Sequence, residues 1–341
     1  MWAASFVGAA VLVALAEQVM PVIPRRWAWP DPAWASAAIV AFGLYAWVRA
    51  HRMAVLLDPV ARADGLPRYS RRVLWGSGWV SFLALLVLPL RLGELSRPWL
   101  LDRSGVGSVR LPEALAATAA ERLADGIALC ALLAAGLASF AGAPDAVATL
   151  VRSGTFFFVA FAAGAGVLAY VAARPGRIAA ACARLVRGRS GLAARLAAAV
   201  HRVAATLRHL GSVRAAVAFA AWTVGYWGLA VLYPWLLAHA AGLDLSPGAA
   251  ALVVAAIGLA IQLPGGPAQV GSFHFGAALA LSAVGDAASG DAALDFVTWL
   301  YALQVVGTAL LSLVGLGVLA SGRAAHGSGA GHSDGPGGSR G

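Results

Sequence analysis

Long apolar stretches follow one another along almost the whole chain, and they limit what this sequence can fold into. The 341 residues are 60% hydrophobic and only 12% charged, whereas a soluble domain carries about 25% charged residues. About 20 apolar residues are enough to span a bilayer as a helix. The sequence therefore predicts an all-α polytopic membrane protein. The apolar stretches are 3–22, 33–49, 73–101, 112–141, 153–173, 213–239, 248–284 and 295–320.

Arginine is concentrated between these stretches and indicates which loops are cytoplasmic. The formal net charge is +10, but cytoplasmic loops of membrane proteins accumulate basic residues, so we predict no nucleic-acid partner. The two richest segments are 49–72 and 174–214, and both are predicted to be cytoplasmic. If 73–101, 112–141 and 153–173 each crossed the bilayer, these two segments would lie on opposite sides. One of the three stretches is therefore expected to turn back.

Residues 88–101, "LPLRLGELSRPWLL", mark the stretch that turns back. Pro89 and Gly93 interrupt a helix, and charges at the lipid-facing centre of a membrane cost about 2.5–3.5 kcal/mol each on insertion scales. Irregular backbone at membrane depth is tolerated where it is buried or lines a water-filled cavity. The stretch is predicted to be a re-entrant hairpin with its tip at Pro89–Gly93.

The stretch 248–284 contains a second break, "QLPGGPAQVGSFHFG". Its flanks carry aspartate and no arginine, so it is predicted to enter from the opposite face. Two oppositely oriented hairpins are typical of inverted repeats in transporters. The predicted fold has about six full transmembrane helices and two re-entrant hairpins, eight membrane segments in all. The residues assigned to the second tip are Pro264, Gly265, Gly266, Pro267 and Gly271.

Charged residues of the first hairpin are predicted to meet charged residues of the stretch 112–141. Glu121 and Asp125 are one turn apart on a helix, at a depth that a hairpin tip would reach. Two interpretations remain open, a buried ion network that holds the hairpin and a site that binds a polar group moving through the membrane. The candidate binding residues are Arg91, Glu94, Arg97, Glu121, Arg122 and Asp125, with Gln269, Ser272 and His274 at the second tip.

The remaining segments complete the predicted organisation. Residues 1–320 form one membrane domain, in which the basic segment 174–214 is either one or two amphipathic helices on the membrane surface or a plain basic loop. The glycine- and serine-rich residues 321–341 are expected to be disordered. Both termini are predicted to be cytoplasmic. Arg25 and Arg26, which this topology puts outside, are its one exception to the positive-inside rule.

Three stretches of the sequence resemble the signatures of a known family. They are "LPLRLGELSRPWLLDRSG", "EALAATAAERLADGIAL" and "LPGGPAQVGSFHFGAALALSAVG". Together they resemble the membrane region of lysylphosphatidylglycerol synthases, also called flippase-like domain proteins, over about residues 5–320. The resemblance implies a polytopic bacterial inner-membrane protein that moves or handles lipids. Relatives often have Pro-Gly-aromatic-x-Gly at the second tip, where this chain has Pro267-Ala268-Gln269-Val270-Gly271.

Two classes of function follow from these features. The leading hypothesis is a flippase-like transporter for an anionic or zwitterionic phospholipid or a polyprenyl-phosphate-linked lipid. Arg91, Arg97 and Arg122 would contact the phosphate, while the three carboxylates would position them or bind a coupling proton. The alternative is an accessory subunit or enzyme of lipid or cell-envelope biosynthesis, with the enzymes of that pathway as partners.

The enzyme alternative has little support in the sequence. Neither an activated nucleophile nor a set of side chains with metal-ligand spacing is evident, so no catalytic residue, metal or cofactor is predicted. Two-domain relatives carry an aminoacyl-transferase after this region, and the sequence ends without one. Lipid aminoacylation by this chain alone is therefore not expected.

Overall fold

The computed structural model describes nine parts of the chain and contains helices throughout them. The described residues are 2–21, 28–63, 69–103, 110–138, 144–186, 190–210, 213–263, 266–285 and 289–327, and none of these forms a β-strand. Pro264 and Gly265, assigned to the second hairpin tip, lie outside the described residues, as do Arg25 and Arg26. The all-α prediction is confirmed.

The α-helices follow the apolar stretches closely. They are α1 (Trp2–Val19), α2 (Pro32–Ala63), α3 (Arg71–Val87), α4 (Ser96–Arg103), α5 (Leu111–Leu137), α6 (Pro144–Ala173), α7 (Pro175–Leu185), α8 (Ser190–Leu210), α9 (Val213–Ala240), α10 (Pro247–Ala260), α11 (Ser272–Val284), α12 (Gly290–Ala302) and α13 (Thr308–Gly327). A π-helical turn, Leu303–Gly307, joins α12 to α13 without a break.

Four helical segments of the described chain are long and apolar enough to cross a membrane. They are Pro32–Arg62, Asp145–Ala173, Val213–Ala240 and Gly290–Ser321. The chain is thus a multi-pass membrane protein. Helix α5 has the length of a crossing but also carries four charged residues. Two of them, Glu121 and Asp125, pair with arginines of other helices as described below. The division into six crossing helices and two re-entrant hairpins stays a prediction.

Helix α2 is longer than the sequence analysis predicted. It continues to Ala63, so Arg49 and Arg52 belong to a helix and the prediction of a loop from residue 49 is wrong for 49–63. The helix continues because the buried residues Met53, Leu57 and Val60 keep one apolar side at helical spacing. As a result, the arginines at positions 49 and 52 are held inside the bundle.

Helices α2 and α9 pack against each other as an antiparallel pair. The Tyr45 and Tyr226 rings stack at 4.9 Å, with their hydroxyl oxygens 3.0 Å apart. One side of this contact is extended by Phe42 against Tyr233 and the other by Arg52 against Phe219. These contacts keep one register along the two helices. They therefore fix the height of the α2 arginines relative to the α9 aromatic residues.

The chain reverses direction after α3, as the first predicted hairpin requires. Residues Pro89–Leu95 form a 3₁₀ helix, and the α-helical return begins only at Ser96. Gly93 lies directly against the backbone of Ala84 and Leu85, and the Arg97 side chain reaches Gly78, so the returning segment runs antiparallel to α3.

Replacing Gly93 with alanine should destabilise this hairpin. A β-carbon at Gly93 would overlap the backbone of Ala84 and Leu85, and helix backbone cannot yield as a side chain can. The free energy of unfolding should fall by about 1–3 kcal/mol, measured by detergent-titration unfolding of the purified protein. Gly43→Ala is the matched control, because a β-carbon there meets no atom within 4 Å. That variant should be stabilised by about 0.5–1 kcal/mol, and equal effects in the two variants would contradict the packing described.

Helices α10 and α11 form the second chain reversal. A β-carbon at Gly276 would lie 2.8 Å from the Cα atom of Ile257 and the Cβ atom of Ala260, so the two helices are in close antiparallel contact. The connecting turn includes a 3₁₀ turn, Pro267–Gln269, in which Ala268 and Gln269 have φ values of 56° and 63°. A left-handed backbone is strained for residues other than glycine, and the Tyr301 hydroxyl donates to the Ala268 carbonyl at 3.1 Å.

The described residues of the arginine-rich segment 174–214 lie mainly in helices α7 and α8, and the position of these helices at the membrane surface stays a prediction. The two helices pack on each other, and α8 also packs against α5 and α6. Ala204 and Thr206 on α8 are completely buried, so this helix is part of the bundle. Helix α13 extends past Ser321, where the sequence predicts the tail to begin; residues 328–341 lie outside the described residues.

Candidate functional site

A cavity of about 200 Å³ lies where the two chain reversals approach each other. The first reversal contributes Leu85 and Glu94 to its wall, and the second contributes Gln262 and Gln269. The rest of the wall comes from helices α2, α5, α6, α9, α10, α11 and α12. Both predicted hairpins therefore reach one space, although their sequences are separated by more than 150 residues.

Irregular backbone puts a polar side chain into this wall at three places. Glu94 is in the 3₁₀ helix of the first reversal, Gln269 has a left-handed backbone, and Gln304 is in the π-helical turn between α12 and α13. Strained backbone and π-helical turns persist where the surrounding structure fixes them, and they are frequent at functional sites. Three such features around one cavity make it the candidate functional site.

Asp125 on α5 is the centre of a buried ion network beside the cavity. One of its carboxylate oxygens accepts a hydrogen bond from Arg52 at 2.8 Å, and the other pairs with Arg122 at 3.1 Å. The Arg52 side chain is only 1% exposed, and its guanidinium carbon lies 4.5 Å from the centre of the Tyr226 ring. Both carboxylate oxygens are thus occupied, and the two arginines are held in fixed positions.

Arg97 and Glu121 form a second buried ion pair, which joins the first reversal to α5. The Arg97 Nη1 atom lies 3.1 Å from a Glu121 carboxylate oxygen, and its Nη2 atom donates to the Ala50 carbonyl at 2.8 Å. Arg97 thereby connects α4, α5 and α2. Because both partners are almost fully buried, this pair holds the hairpin in place and leaves little room for a ligand between them.

Arg49 is the cavity cation that lacks a carboxylate partner among the described residues. It lies one turn before Arg52 on α2, lines the cavity and is half-buried. Its guanidinium carbon lies 4.3 Å from the centre of the Phe82 ring, a cation–π contact. This contact holds the side chain without using its hydrogen-bond donors.

The structure brings together most, but not all, of the predicted site residues. Glu94, Arg122, Asp125 and Gln269 line the cavity, and Arg97 and Glu121 are buried in an ion pair. The Ser272 hydroxyl donates to the Gln269 carbonyl at 3.1 Å, so Ser272 supports the turn. The His274 ring packs 4.6 Å from that of Tyr301 and is not among the cavity-lining residues of the described chain. The Arg91 side chain lies outside the described residues.

Arg49, Arg52, Tyr226 and Gln304 were not identified from the sequence. The apolar spacing from Trp47 to Val60 would have predicted a continuous helix through both arginines. Nothing in the sequence distinguishes Tyr226 from the other aromatic residues of α9. Gln304 had a signal, since it is an amide near the middle of a segment that is apolar enough to cross a membrane.

Comparison with known proteins identifies the family. The family model described as "Lysylphosphatidylglycerol synthase TM region" matches residues 1–315. The chain belongs to this family. No curated protein and no solved structure gave a significant match. Membership agrees with the resemblance of the three sequence stretches and indicates a membrane protein related to lipid handling.

The strained turn of the second reversal can be compared with the family pattern given above. Glycine, which relatives often have at the position of Ala268, adopts a left-handed backbone without strain, and here alanine has that conformation. In the resemblance given above, the aromatic position of the pattern corresponds to Gln269, and here its amide lines the cavity.

Proposed function

We propose that the central cavity binds the phosphate-bearing headgroup of a lipid and that the protein moves this lipid across the bacterial inner membrane. The lipid is an anionic or zwitterionic phospholipid or a polyprenyl-phosphate-linked lipid. In the proposed topology both termini are cytoplasmic and the two reversals are re-entrant hairpins from opposite faces. The observation that carries the proposal is Arg49, a fixed cation in the cavity wall that makes no ion pair among the described residues.

The charge balance of the site supports an anionic ligand. The arginines at positions 49, 52, 97 and 122 face the carboxylates at positions 94, 121 and 125. Four cations against three anions leave one positive charge in excess among these side chains. An arginine guanidinium presents its donors in a planar fork that matches phosphate oxygens. A phosphate next to Arg49 would complete the charge balance.

The size and lining of the cavity fit the headgroup of a lipid but not a whole lipid molecule. Pockets that enclose a drug-sized ligand have volumes of about 300–1,000 Å³, and this cavity has about 200 Å³. It therefore accommodates a headgroup, while acyl chains stay in the bilayer. Part of the wall is apolar, with Leu129, Phe161 and Ile257, and this part suits the start of the apolar chain where it joins the headgroup.

The ion network has a positioning role in this proposal. Asp125 and Glu121 already pair with arginines, so they orient Arg52, Arg122 and Arg97 around the cavity. Glu94 lines the cavity, and in this proposal it binds a coupling proton. In this proposal, the two interpretations of the charged cluster describe different parts of one site.

The test is lipid translocation in proteoliposomes of purified full-length protein. The probe is a fluorescent phosphatidylglycerol whose inner-leaflet fraction is protected from a membrane-impermeant quencher. Arg49→Gln should slow its translocation by about tenfold or more, because it removes a charge-assisted hydrogen bond worth about 1.5–3 kcal/mol. Arg49→Lys should retain part of the rate, since the charge remains but the fork is lost.

Arg195→Gln is the matched control. It also removes one arginine, from the exposed surface of α8, and should leave the rate of translocation unchanged. Far-ultraviolet circular dichroism and gel filtration verify that each variant is folded. An Arg49→Gln variant that transports at the wild-type rate would remove the proposed site, and absence of transport in the wild type would favour the accessory-subunit alternative.

A further inference from the structure

A second basic site lies away from the central cavity, between the ends of α2, α8 and α9. It is a groove of about 490 Å³ into which each helix contributes one arginine: Arg62, Arg208 and Arg214. All three side chains are exposed. None of them contacts the central cavity, so the groove is a separate feature of the surface.

The groove has a large excess of positive charge. Its only carboxylate among the described lining residues is Asp58, which is bonded to Arg71 at 2.6 Å. Since Asp58 is paired with Arg71, none of the carboxylates that the structure describes forms an ion pair with the three lining arginines. Like charges brought together from three helices repel one another, and a bound anion relieves this repulsion.

The floor and border of the groove are apolar. Val55, Ala215 and Ala218 line its floor. Beyond the groove, Val213, Val217 and Val224 expose 79%, 62% and 73% of their surfaces along α9. Their spacing puts them on one side of the helix, in a segment apolar enough to cross a membrane. The strip begins at Val213, the neighbour of Arg214 in the chain, and lies on the side of α9 turned away from Ala215 and Ala218. A headgroup at Arg214 and a chain on the strip would thus occupy adjoining faces of the helix, which fits an amphiphile better than a soluble anion.

We propose that this groove binds an anionic phospholipid, with its phosphate among Arg62, Arg208 and Arg214 and one acyl chain along the exposed valines of α9. Basic pockets between membrane helices bind anionic headgroups in this way. The groove is close to the functional site along the chain, because Arg62 and Arg52 belong to the same helix. A lipid bound there stabilises the end of α2, whose preceding turns carry Arg49 and Arg52.

The test measures retention of phosphatidylglycerol by the purified full-length protein, with native mass spectrometry over a titration of this lipid in mixed micelles. Native mass spectra resolve the number of lipids bound, so the lipid at the groove is counted separately from one in the central cavity. In the triple variant Arg62→Gln/Arg208→Gln/Arg214→Gln the affinity for the lipid at the groove should fall on the order of 100-fold, since each arginine near a lipid surface contributes about fivefold. The triple Arg→Lys variant at the same positions should retain most of the affinity. Phosphatidylcholine should bind wild type weakly.

Two controls separate this site from general charge and from the central cavity. The matched variant Arg177→Gln/Arg184→Gln/Arg195→Gln removes the same charge from α7 and α8 and should change the affinity by less than about twofold. Arg49→Gln leaves the groove intact and should retain the lipid bound there. An affinity lost in Arg49→Gln but kept in the groove variant would overturn the proposal while supporting the central site. Displacement of the lipid by inorganic phosphate at equal concentration would identify a soluble-anion site and also overturn it.

Discussion

Replacement of Asp125 by alanine is expected to lower the free energy of unfolding by about 3–5 kcal/mol. The two oxygens of this carboxylate pair with Arg52 and Arg122, and removing it leaves two arginines facing each other. Arg52 is 1% exposed, so water cannot solvate the released charge. Asp125→Asn should lower the free energy of unfolding by almost as much, because the amide nitrogen of asparagine would face one of the arginine donors.

Detergent-titration unfolding of the purified protein measures this loss. Asp58→Asn is the matched control, since Asp58 also pairs with an arginine, at 2.6 Å, but the Arg71 side chain is 35% exposed. Ion pairs exposed to water contribute about 0–1 kcal/mol. If both substitutions lowered the free energy of unfolding equally, burial would not be the reason for the importance of Asp125.

The Arg97–Glu121 pair is expected to show strong coupling in a double-mutant cycle. Glu121→Leu leaves Arg97 buried without a counterion, and Arg97→Met leaves Glu121 equally isolated. Each single substitution should cost about 3–5 kcal/mol, whereas replacing both partners by apolar residues of similar volume is often neutral. The double variant should therefore lie within about 2 kcal/mol of the wild type, since it also loses the hydrogen bond from Arg97 to the Ala50 carbonyl.

The same unfolding assay on the four proteins gives the coupling energy. Residues in contact through a buried ion pair typically couple by about 0.5–3 kcal/mol, and this pair should lie at or above the upper end. Strictly additive effects would mean that Arg97 and Glu121 act independently. If the double variant is folded but translocates lipid poorly, the pair positions the hairpin for function beyond its contribution to stability.

The pairing of the first hairpin with α5 could be predicted from the sequence because it depends on local chemistry. Charges within an apolar stretch must find partners in the protein, and Glu121 lies on the nearest helix with charges at a matching depth. The structure pairs it with Arg97. The stretches that resemble the family signatures contain the same residues, and their role in binding stays a prediction.

The role of α2 could not be predicted in this way. Arginines at the end of an apolar stretch usually mark a cytoplasmic loop, and Arg49 and Arg52 were interpreted accordingly. That rule describes average loops. It does not consider that a helix can continue past its arginines because residues such as Met53 and Leu57 are buried. Which carboxylate such an arginine meets depends on the register of α2 against α5, and this register has no signature in a single sequence.

By itself, the sequence determined that the chain is an all-helical membrane protein, where its backbone breaks, and which charges cannot face lipid. These are local consequences of hydrophobicity, of proline and glycine, and of the cost of burying a charge. Only the tertiary structure decided that Asp125 pairs with Arg52 as well as Arg122, that Arg49 faces the cavity, and that Gln269 and Gln304 join Glu94 in its wall. These residues are far apart in the chain, so their meeting depends on how the helices pack.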